Sequence, residues 1–353
     1  MQTFRNLDKH LGLVPAQMAQ QLSAIDIGRG RQEAFRHQYS ALLESLRHVA
    51  MIQSVEASNA IEAITAPTER VIELVEQKTT PANRSEQEIA GYRAVLDTIH
   101  SSALGIPFKP GVVEQLHRDL HQFSGVRWAG RWKSSDNTVT EKLPDGTEVV
   151  RFTPVSAFQT PAAMEELHER FNSAWDADTY HRLLLIGCYA LDFLVIHPFN
   201  DGNGRMSRLL TLLLLYKGGY EVGRFVSIER LIEKTSETYY DSLGKSTAGW
   251  HEGEHDPRPW LSYSLGVLVA AHREFEERVG AATSGRGAKA ALVKQFIRSN
   301  LSETFRIEDV RRAAPGVSSV YLTRLLGDLR RAGAIELVSK GRSATWRRVH
   351  TNF

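Results

Sequence analysis

The stretch HPFNDGNGRMSR, residues 197–208, lies between two apolar runs at 183–196 and 209–216. Apolar runs of this length favour buried helices, so the stretch is predicted to be the loop that joins them. A buried loop must satisfy its backbone polar groups. One that combines glycines with an imidazole, a carboxylate and two guanidiniums indicates that a ligand satisfies some of these groups. We therefore take residues 197–208 as the candidate functional site.

The second half of this stretch has the features of an anion site. Gly202, Asn203 and Gly204 allow a tight turn that brings backbone N–H groups close to a ligand. The next helix starts there, so its unpaired N–H groups and positive dipole end face the same place. Arg205 and Arg208 are three residues apart and share a helix face. Because two guanidiniums there repel each other and oppose the dipole, the pattern favours a polyphosphate or a carboxylate between them.

Two further side chains of the loop have separate chemical uses. Asp201 stands beside the predicted phosphate site, and Mg²⁺ favours one or two carboxylates together with phosphate oxygens. His197 can exchange a proton near neutral pH. The loop therefore contains a candidate base, a candidate metal ligand and a candidate anion site.

The stretch resembles the signature of the Fic family, H-x-F-x-D/E-G-N-G-R-x-x-R. A lone G-N-G occurs in ordinary turns, but eight matches in twelve residues between two helical runs are hard to obtain by chance. The resemblance implies an all-α fold, a Fic-type helical bundle with a β-hairpin flap, over about residues 32–280. The eight matching positions are His197, Phe199, Asp201, Gly202, Asn203, Gly204, Arg205 and Arg208.

The resemblance also implies an activity, the transfer of AMP from ATP to a Ser, Thr or Tyr hydroxyl of a protein with release of pyrophosphate. His197 would deprotonate the target hydroxyl, and Asp201 would hold Mg²⁺ on the phosphates. The substrate is then ATP and the metal is Mg²⁺, while the identity of the target, for which the protein itself is one candidate, is not specified. The expected nucleotide-binding residues of the loop are Asn200, Asp201, Gly202, Asn203, Gly204, Arg205 and Arg208.

A second motif lies upstream, near residues 58–63. Ser58 is predicted to cap a short helix that contains Glu62, which taken alone would be a solvated charge. Beside the loop, Ser58-Asn-Ala-Ile-Glu62 resembles the inhibitory motif of the family, S/T-x-x-x-E-G/N. The Glu of that motif pairs with the second Arg of the loop, here Arg208, in the place of the γ-phosphate. Ala63 departs from the pattern because Gly or Asn is usual there.

A predicted hairpin and a tyrosine pair complete the candidate site. Strands at 138–143 and 147–152, with a turn at 144–146, resemble the family's flap, which pairs its backbone with an extended segment of the target. Tyr239 and Tyr240 lie in a predicted helix at 228–242. A tyrosine at about this place borders the adenine in Fic proteins, so one of the two is expected to do so; otherwise they are core or partly exposed aromatics.

The composition predicts several domains and a reducing compartment. The chain has 353 residues and one cysteine, Cys188, which excludes an internal disulfide framework and agrees with the cytoplasm. No membrane segment is expected, since the apolar run at 183–196 is short and contains Asp192. The predicted domains are an N-terminal helical region at 1–110, a Fic catalytic core at 111–280 and a further domain at 281–353.

The last of these domains is predicted to be a small winged helix-turn-helix. Residues 286–353 contain 14 Lys and Arg against five Asp and Glu, which suits phosphate contacts. Helices at 289–300, 307–313 and 318–332 precede two strands at 334–339 and 344–349, with Arg342 at the wing tip. Winged helices also dock proteins, so residues 286–353 are expected to bind either DNA or a protein partner. Whether the protein forms a homo-oligomer is left open.

Three rival functions are also left open. The enzyme could use another nucleotide, or it could remove AMP, with Glu62 orienting a water molecule. From a different class, the protein could be a DNA-binding regulator whose Fic domain senses a nucleotide with little turnover.

Overall fold

The computed structural model describes residues 1–38, 40–142, 148–283, 290, 293, 294, 297, 304–313, 317–339, 341 and 344–349. Helices dominate these residues, as the resemblance implies. In chain order they are α1 Gln2–Arg5, α2 Leu7–Leu11, α3 Ala16–Gln38, α4 Ser40–Ala60, α5 Thr68–Val75, α6 Arg84–Ser102, α7 Pro110–Leu120, α8 Thr160–Ala177, α9 Arg182–Ile196, α10 Asn203–Lys217, α11 Ile228–Lys234, α12 Ser236–Thr247, α13 Arg258–Thr283, α14 Ile307–Ala313 and α15 Ser319–Arg331.

Helices α9 and α10 form the centre of the molecule and confirm the prediction of two buried helices. All side chains of α9 from Leu183 onward are buried, which its nearly continuous apolar sequence explains. The helix ends where His197 adopts a left-handed backbone conformation, with φ of 51°. Gly202, with φ of 78°, then caps the start of α10. The loop predicted at 197–208 therefore lies between two helices that packing holds in place.

The predicted N-terminal helical region at 1–110 begins with the short helices α1 and α2. From residue 16 onward it continues as the long helix α3, which packs along α13. Its buried residues Met18, Leu22 and Ile25 recur at helical spacing, but polar residues between them weaken the signal. Arg31 of α3 pairs with Glu276 of α13 at 2.9 Å.

Helix α4 is anchored deep in the bundle. Its Ser54 donates a 2.7 Å hydrogen bond to the carboxylate of Glu229, at the start of α11. The Tyr92 hydroxyl of α6 donates to the same carboxylate at 3.0 Å. Glu229 is almost completely buried, and these donors offset the cost of removing its charge from water.

The predicted flap is present as an antiparallel pair, β1 Val139–Lys142 and β2 Glu148–Phe152. Val139 stands opposite Phe152, and a bulge follows between Val139 and Thr140. The predicted turn at 144–146 lies outside the described residues. The helix predicted at 228–242 is two helices, α11 and α12, which meet at Thr235.

The C-terminal part contains the predicted helices α14 and α15, followed by strands β4 Ile335–Ser339 and β5 Thr345–Arg348. An unpredicted strand, β3 Thr304–Arg306, gives a three-stranded sheet in the order β3-β5-β4. In α15 the side chain of Val320 is 82% exposed, whereas the buried positions recur at helical spacing and are Leu322, Leu325, Leu326 and Leu329. Arg342 lies outside the described residues. Assignment of this part as a winged helix stays a prediction.

Two separate apolar cores are formed by the described residues. One draws on residues from Met1 to Val279, and the other on residues from Val293 to Ile335. The ranges 1–110 and 111–280 contribute to the same core, so their division stays a prediction. None of the helices in the described ranges is both long enough and apolar enough to cross a membrane.

Candidate active site

His197 has the protonation state that a general base needs. Its Nδ1 lies 3.2 Å from the carbonyl oxygen of Leu194. Because a carbonyl can only accept, the ring proton is on Nδ1 and Nε2 keeps its lone pair. Burial lowers the pKa of His197 to about 4, so the ring is neutral at pH 7. Its left-handed backbone costs roughly 1–2 kcal/mol, which the surrounding contacts must offset.

His117 on α7, which sequence analysis did not single out, holds the loop from one side. Its ring stacks on Phe199, with centroids 3.6 Å apart and planes 9° from parallel. The backbone N–H of Gly130 donates to its Nδ1 at 2.9 Å. Its Nε2 therefore carries the proton and donates to the carbonyl of Asp201 at 3.1 Å. Burial lowers the pKa of His117 to about 3, which keeps this tautomer neutral.

Asn203 closes the loop on itself. Its side-chain oxygen accepts from the backbone N–H of Phe199 at 2.9 Å, and its amide donates to the carbonyl of Phe199 at 2.8 Å. The buried side chain is thus used within the loop, and what Asn203 offers a ligand is its backbone. The first bond of α10 runs from Met206 N–H to the carbonyl of Gly202. The N–H groups of residues 203–205 have no partner within the helix, as an anion site requires.

Arg205 and Arg208 do not share one anion, because the structure gives each its own carboxylate. Arg205 is almost completely buried, and its Nη1 lies 2.8 Å from a carboxylate oxygen of Glu88 on α6. The contact is an ion pair without the alignment of a hydrogen bond, and Nε of Arg205 has no partner among the described residues. Glu88 lies in an ordinary amphipathic helix, where nothing in the sequence marks it. A phosphate-binding role for Arg205 stays a prediction.

Arg208 contacts both residues of the predicted inhibitory motif. Its Nε donates to Ser58 Oγ and its Nη2 to the Ser58 carbonyl, each at 2.8 Å. The same Nη2 donates to Glu62 Oε1 at 2.9 Å. Arg208 is buried, whereas the Glu62 side chain is one-third exposed, at 33%. Burial acts to lower the pKa of Arg208, but the Glu62 carboxylate, Tyr239 and Tyr92 together hold the pKa above its ordinary value.

The prediction that Ser58 caps a short helix is wrong. Ser58 lies inside α4 and is fully buried, and Glu62 lies on the turn after the helix ends. Ile64 N–H bonds the carbonyl of Asn59 at 3.0 Å, and Ala63 N–H bonds that of Ala60 at 2.9 Å. These two bonds define a Schellman motif, in which the left-handed position usually holds Gly.

Ala63 occupies that left-handed position, with φ of 58°. The preference of the family pattern for Gly or Asn after the Glu therefore has a backbone cause in this chain. Ala keeps the geometry at a steric cost of roughly 1–2 kcal/mol. With Ala63 in place of Gly or Asn, the helix end still forms, but its backbone is strained at Ala63.

Gly204 lets the Glu62 carboxylate approach the start of α10. A Cβ atom at Gly204 would lie 2.1 Å from Glu62 Oε1, closer than any real contact, and 3.4 Å from an Arg208 nitrogen. The carboxylate therefore lies against bare backbone beside the unpaired N–H groups. The Glu62 carboxylate, itself an anion, therefore already occupies part of the predicted phosphate site.

Asp201, the predicted metal ligand, presents an accessible carboxylate. One oxygen accepts from the backbone N–H of Gly202 at 2.6 Å, and the other lies 3.9 Å from the guanidinium of Arg84. The side chain is about half exposed. No group of three or more His, Cys, Asp or Glu in the described ranges could hold a metal. One free carboxylate oxygen fits Mg²⁺ that brings phosphate and water oxygens of its own.

The two tyrosines face different surroundings. Tyr239 is buried and packs edge-to-face on Trp260, with centroids 5.3 Å apart. Tyr240 is 47% exposed, and burial together with the Glu62 carboxylate raises its pKa, so it lies near the inhibitory contact. Only Tyr240 of the pair offers ring surface to a base. Asn200, the remaining predicted nucleotide ligand, is exposed on the loop.

Comparison with known proteins identifies the central part of the chain. Residues 107–215, which include the flap and the loop, match the model of the Fic/DOC family. This part of the chain is therefore similar to the Fic/DOC family. The α4 segment with Ser58 and Glu62 lies outside the matched Fic domain, so its relation to Arg208 rests on the geometry above.

Solved structures show the same fold. A Fic family protein from Desulfovibrio desulfuricans G20 superposes with a TM-score of 0.62 at 22% identity, over 97% of this chain and 98% of that one. A Fic-1 fragment from Caenorhabditis elegans gives a TM-score of 0.60 at 20% identity, over 75% of this chain and 74% of that one. The Fic-type helical fold is therefore confirmed.

Curated relatives of the Fic domain are named as adenylyltransferases. "Protein adenylyltransferase Fic" from Nematostella vectensis is 24% identical over 225 residues, covering 61% of this chain and 46% of that protein. "Protein adenylyltransferase fic-1" from Caenorhabditis elegans is 28% identical over 196 residues, covering 54% of this chain and 33% of that protein. The matches thus span less than half the length of these relatives.

Proposed function

We propose that this protein transfers AMP from ATP to a Ser, Thr or Tyr hydroxyl of a protein, and that Glu62 restrains the reaction. The observation that carries the proposal is the neutral His197, whose Nε2 lone pair lies on the loop that starts α10. A base and an anion-binding helix end are the two parts that nucleotidyl transfer needs. The adenylyltransferase names of the relatives support the same assignment.

In the proposed reaction, His197 Nε2 takes the proton of the target hydroxyl. The hydroxyl oxygen bonds to the α-phosphorus of ATP, the bond from that phosphorus to the bridging oxygen breaks, and pyrophosphate leaves. The N–H groups of residues 203–205 and the Arg208 guanidinium stabilise the phosphate charge. A positioned general base contributes roughly 10²–10⁴-fold to such a step.

Mg²⁺ would be held by the free oxygen of Asp201 together with oxygens of the nucleotide. The ion would offset the negative charge of the phosphates during attack. Arg84, 3.9 Å from this oxygen, is exposed and can turn away.

The restraint follows from competition for Arg208. In the resting protein its guanidinium is satisfied by Ser58 and Glu62, and an incoming γ-phosphate must displace the carboxylate. An exposed ion pair contributes only about 0–1 kcal/mol, but here the guanidinium is buried, which strengthens the charge-assisted bond. We infer that ATP binds in a productive position more readily once Glu62 is removed.

Labelling with ATP that carries a radioactive α-phosphate tests the proposal. Initial rates are measured on the protein itself and on a cell lysate, at saturating Mg-ATP. Glu62→Gly is expected to raise the rate above wild type. His197→Ala, alone or with Glu62→Gly, is expected to abolish labelling while ATP binding persists.

Arg208→Ala is the control for the restraint. It removes the partner of Glu62 and the phosphate ligand together, so it should not reproduce the activation. Labelling by the Glu62→Gly, His197→Ala double variant at the rate of Glu62→Gly would refute the proposed base. Equal rates for wild type and Glu62→Gly would refute the restraint.

Residues 286–353 are proposed to bind DNA or a protein partner. The support is their basic charge and the exposure of Ser319 and Arg324 on α15, the last helix of the predicted helix-turn-helix.

A further inference from the structure

The segment that leads into the flap is bonded to the backbone on both sides of His197. The Lys133 backbone N–H donates to the carbonyl of Pro198 at 2.8 Å. The Lys133 side chain reaches the other side and donates from Nζ to the carbonyl of Ile196 at 3.1 Å. The residue before His197 and the residue after it are therefore held by one lysine.

Asn137, at the base of β1, extends this connection. Lys133 Nζ donates to its side-chain oxygen at 2.8 Å. Its amide nitrogen donates in turn to the carbonyl of Phe199 at 3.3 Å. Three hydrogen bonds thus join the flap base to residues 196–199; the Lys133 ammonium makes one of them directly and holds the Asn137 side chain that makes another.

Lys133 has only 3% of its surface exposed, although a buried ammonium is costly. Two acceptors offset part of this cost, and the ammonium lies at the C-terminal end of α9, where the helix dipole favours a cation. Burial lowers the pKa of Lys133 to about 8, which leaves it mostly protonated at pH 7. An apolar side chain would fill the volume without this cost, which indicates that the charge and its bonds have a use.

We propose that Lys133 is a positioning residue, which fixes His197 relative to the flap so that a hydroxyl presented on the flap meets Nε2. This inference rests on the proposed transfer reaction. The flap and His197 lie far apart in the chain, and these three bonds link them directly. A misplacement of about 1 Å at such a site can reduce the rate roughly 10²-fold.

The charge of Lys133 also acts on the imidazole. After burial, the groups that influence the pKa of His197 are the Leu194 carbonyl, Lys133, Glu62 and Asp201. Lys133 lowers this pKa, whereas the other three raise it. Replacing Lys133 by a neutral residue is therefore expected to raise the pKa of His197 from its present value of about 4.

The experiment compares Lys133→Met and Lys133→Arg with Lys217→Met in the full-length Glu62→Gly protein. Lys217 is a matched control, since its Nζ also donates to a backbone carbonyl, that of Ile106 at 2.8 Å, but at the far end of α10. Three quantities are measured: the His197 ring pKa by NMR titration, the Kd for Mg-ATP, and the labelling rate with α-labelled Mg-ATP over a range of pH.

Lys133→Met should raise the His197 pKa, reduce the maximal labelling rate at least 10-fold and leave the Kd for Mg-ATP unchanged. Lys133→Arg retains the charge and can donate to the same carbonyls. It should therefore label faster than Lys133→Met and keep the His197 pKa at the parental value. Lys217→Met should match the parent in both measurements.

Asn137→Ala provides a second test in case Lys133→Met folds poorly. It removes the bond to Phe199 but keeps the Lys133 charge. The labelling rate should therefore fall, and the His197 pKa should not change. The proposal is overturned if the Lys133 and Lys217 variants agree in pKa and rate, or if Asn137→Ala labels at the parental rate. The NMR titration needs no turnover, so absence of labelling in every variant would instead count against the transfer reaction.

Discussion

Gly204 is the residue at which the carboxylate and the nucleotide would come closest to the backbone. An added methyl group would lie 2.1 Å from the Glu62 oxygen. Gly204→Ala should therefore displace Glu62 and obstruct a phosphate at the same place. Ala favours a helix over Gly by about 1 kcal/mol, which offsets part of the lost contact between Glu62 and Arg208, so the protein should remain folded. We expect weaker Mg-ATP binding by calorimetry and no activation of labelling, in contrast to Glu62→Gly.

Gly244→Ala on α12 is the control for this prediction, since a Cβ there meets no atom within 4 Å. It should change neither ATP binding nor labelling. If Gly204→Ala binds ATP as tightly as the wild type, the bound nucleotide does not lie against this glycine.

Residues adjacent in sequence could be predicted, and residues brought in from a distance could not. The loop from His197 to Arg208 carries its chemistry within twelve positions, so its members were found together. His117, Glu88 and Lys133 come from other helices or from the flap base, and each stands in an ordinary local sequence. Only the fold shows that they touch the loop.

At the scale of one element, the end of α4 is held in a conformation that suits glycine. Ala63→Gly should relieve the left-handed strain and stabilise the protein by about 1 kcal/mol in chemical unfolding. A better-formed turn should hold Glu62 more firmly against Arg208, so basal labelling should fall.

An alanine-to-glycine change one turn earlier should have the opposite effect on both stability and basal labelling. Ala60→Gly lies within α4, where glycine costs about 1 kcal/mol, so it should loosen the helix end and raise basal labelling. Equal effects of both changes on stability would contradict the assignment of the turn.

Elements with a strong apolar period were predicted from sequence, as α9 and α10 show. Helix α3 was missed because polar residues alternate with its buried Met18, Leu22 and Ile25. Serine favours helix caps, which is why the sequence predicts a cap at Ser58, but burial against Arg208 outweighs that preference.

At the scale of the whole molecule, buried histidines should make stability sensitive to acid. In eight histidines the pKa is lowered to about 3 or 4, mainly by burial. Such groups stay neutral when folded and take up protons near pH 6.5 when unfolded, so stability falls as pH decreases from about 6.5 towards 4. These histidines are His10, His100, His117, His121, His168, His197, His255 and His272.

Melting temperatures measured between pH 8 and pH 4 check this prediction. We expect little change above pH 7 and a progressive decrease below pH 6.5. His251 is exposed and is not one of these eight histidines, so His251→Gln should leave the pH dependence of the melting temperature unchanged. A melting temperature that is constant down to pH 4.5 would contradict it.

The charge of residues 286–353 leads to a prediction for the full-length chain. If this part binds DNA, affinity for a duplex should fall steeply as salt rises, because each phosphate contact releases counterions. Arg324→Ala should weaken binding and reduce the salt dependence, whereas Arg170→Ala on α8 should not. No binding to duplex at low salt would leave this part as a protein-binding module.

Because Glu62 lies beyond the end of α4, freeing Arg208 from it does not require the helix to move. Ser54 and Ser58 keep α4 attached to Glu229 and Arg208 while one carboxylate turns away. Side-chain rotations take picoseconds to nanoseconds, far less than an encounter with a nucleotide. The restraint should therefore act as a rapid equilibrium between two positions of the Glu62 carboxylate, and wild-type labelling should begin without a lag.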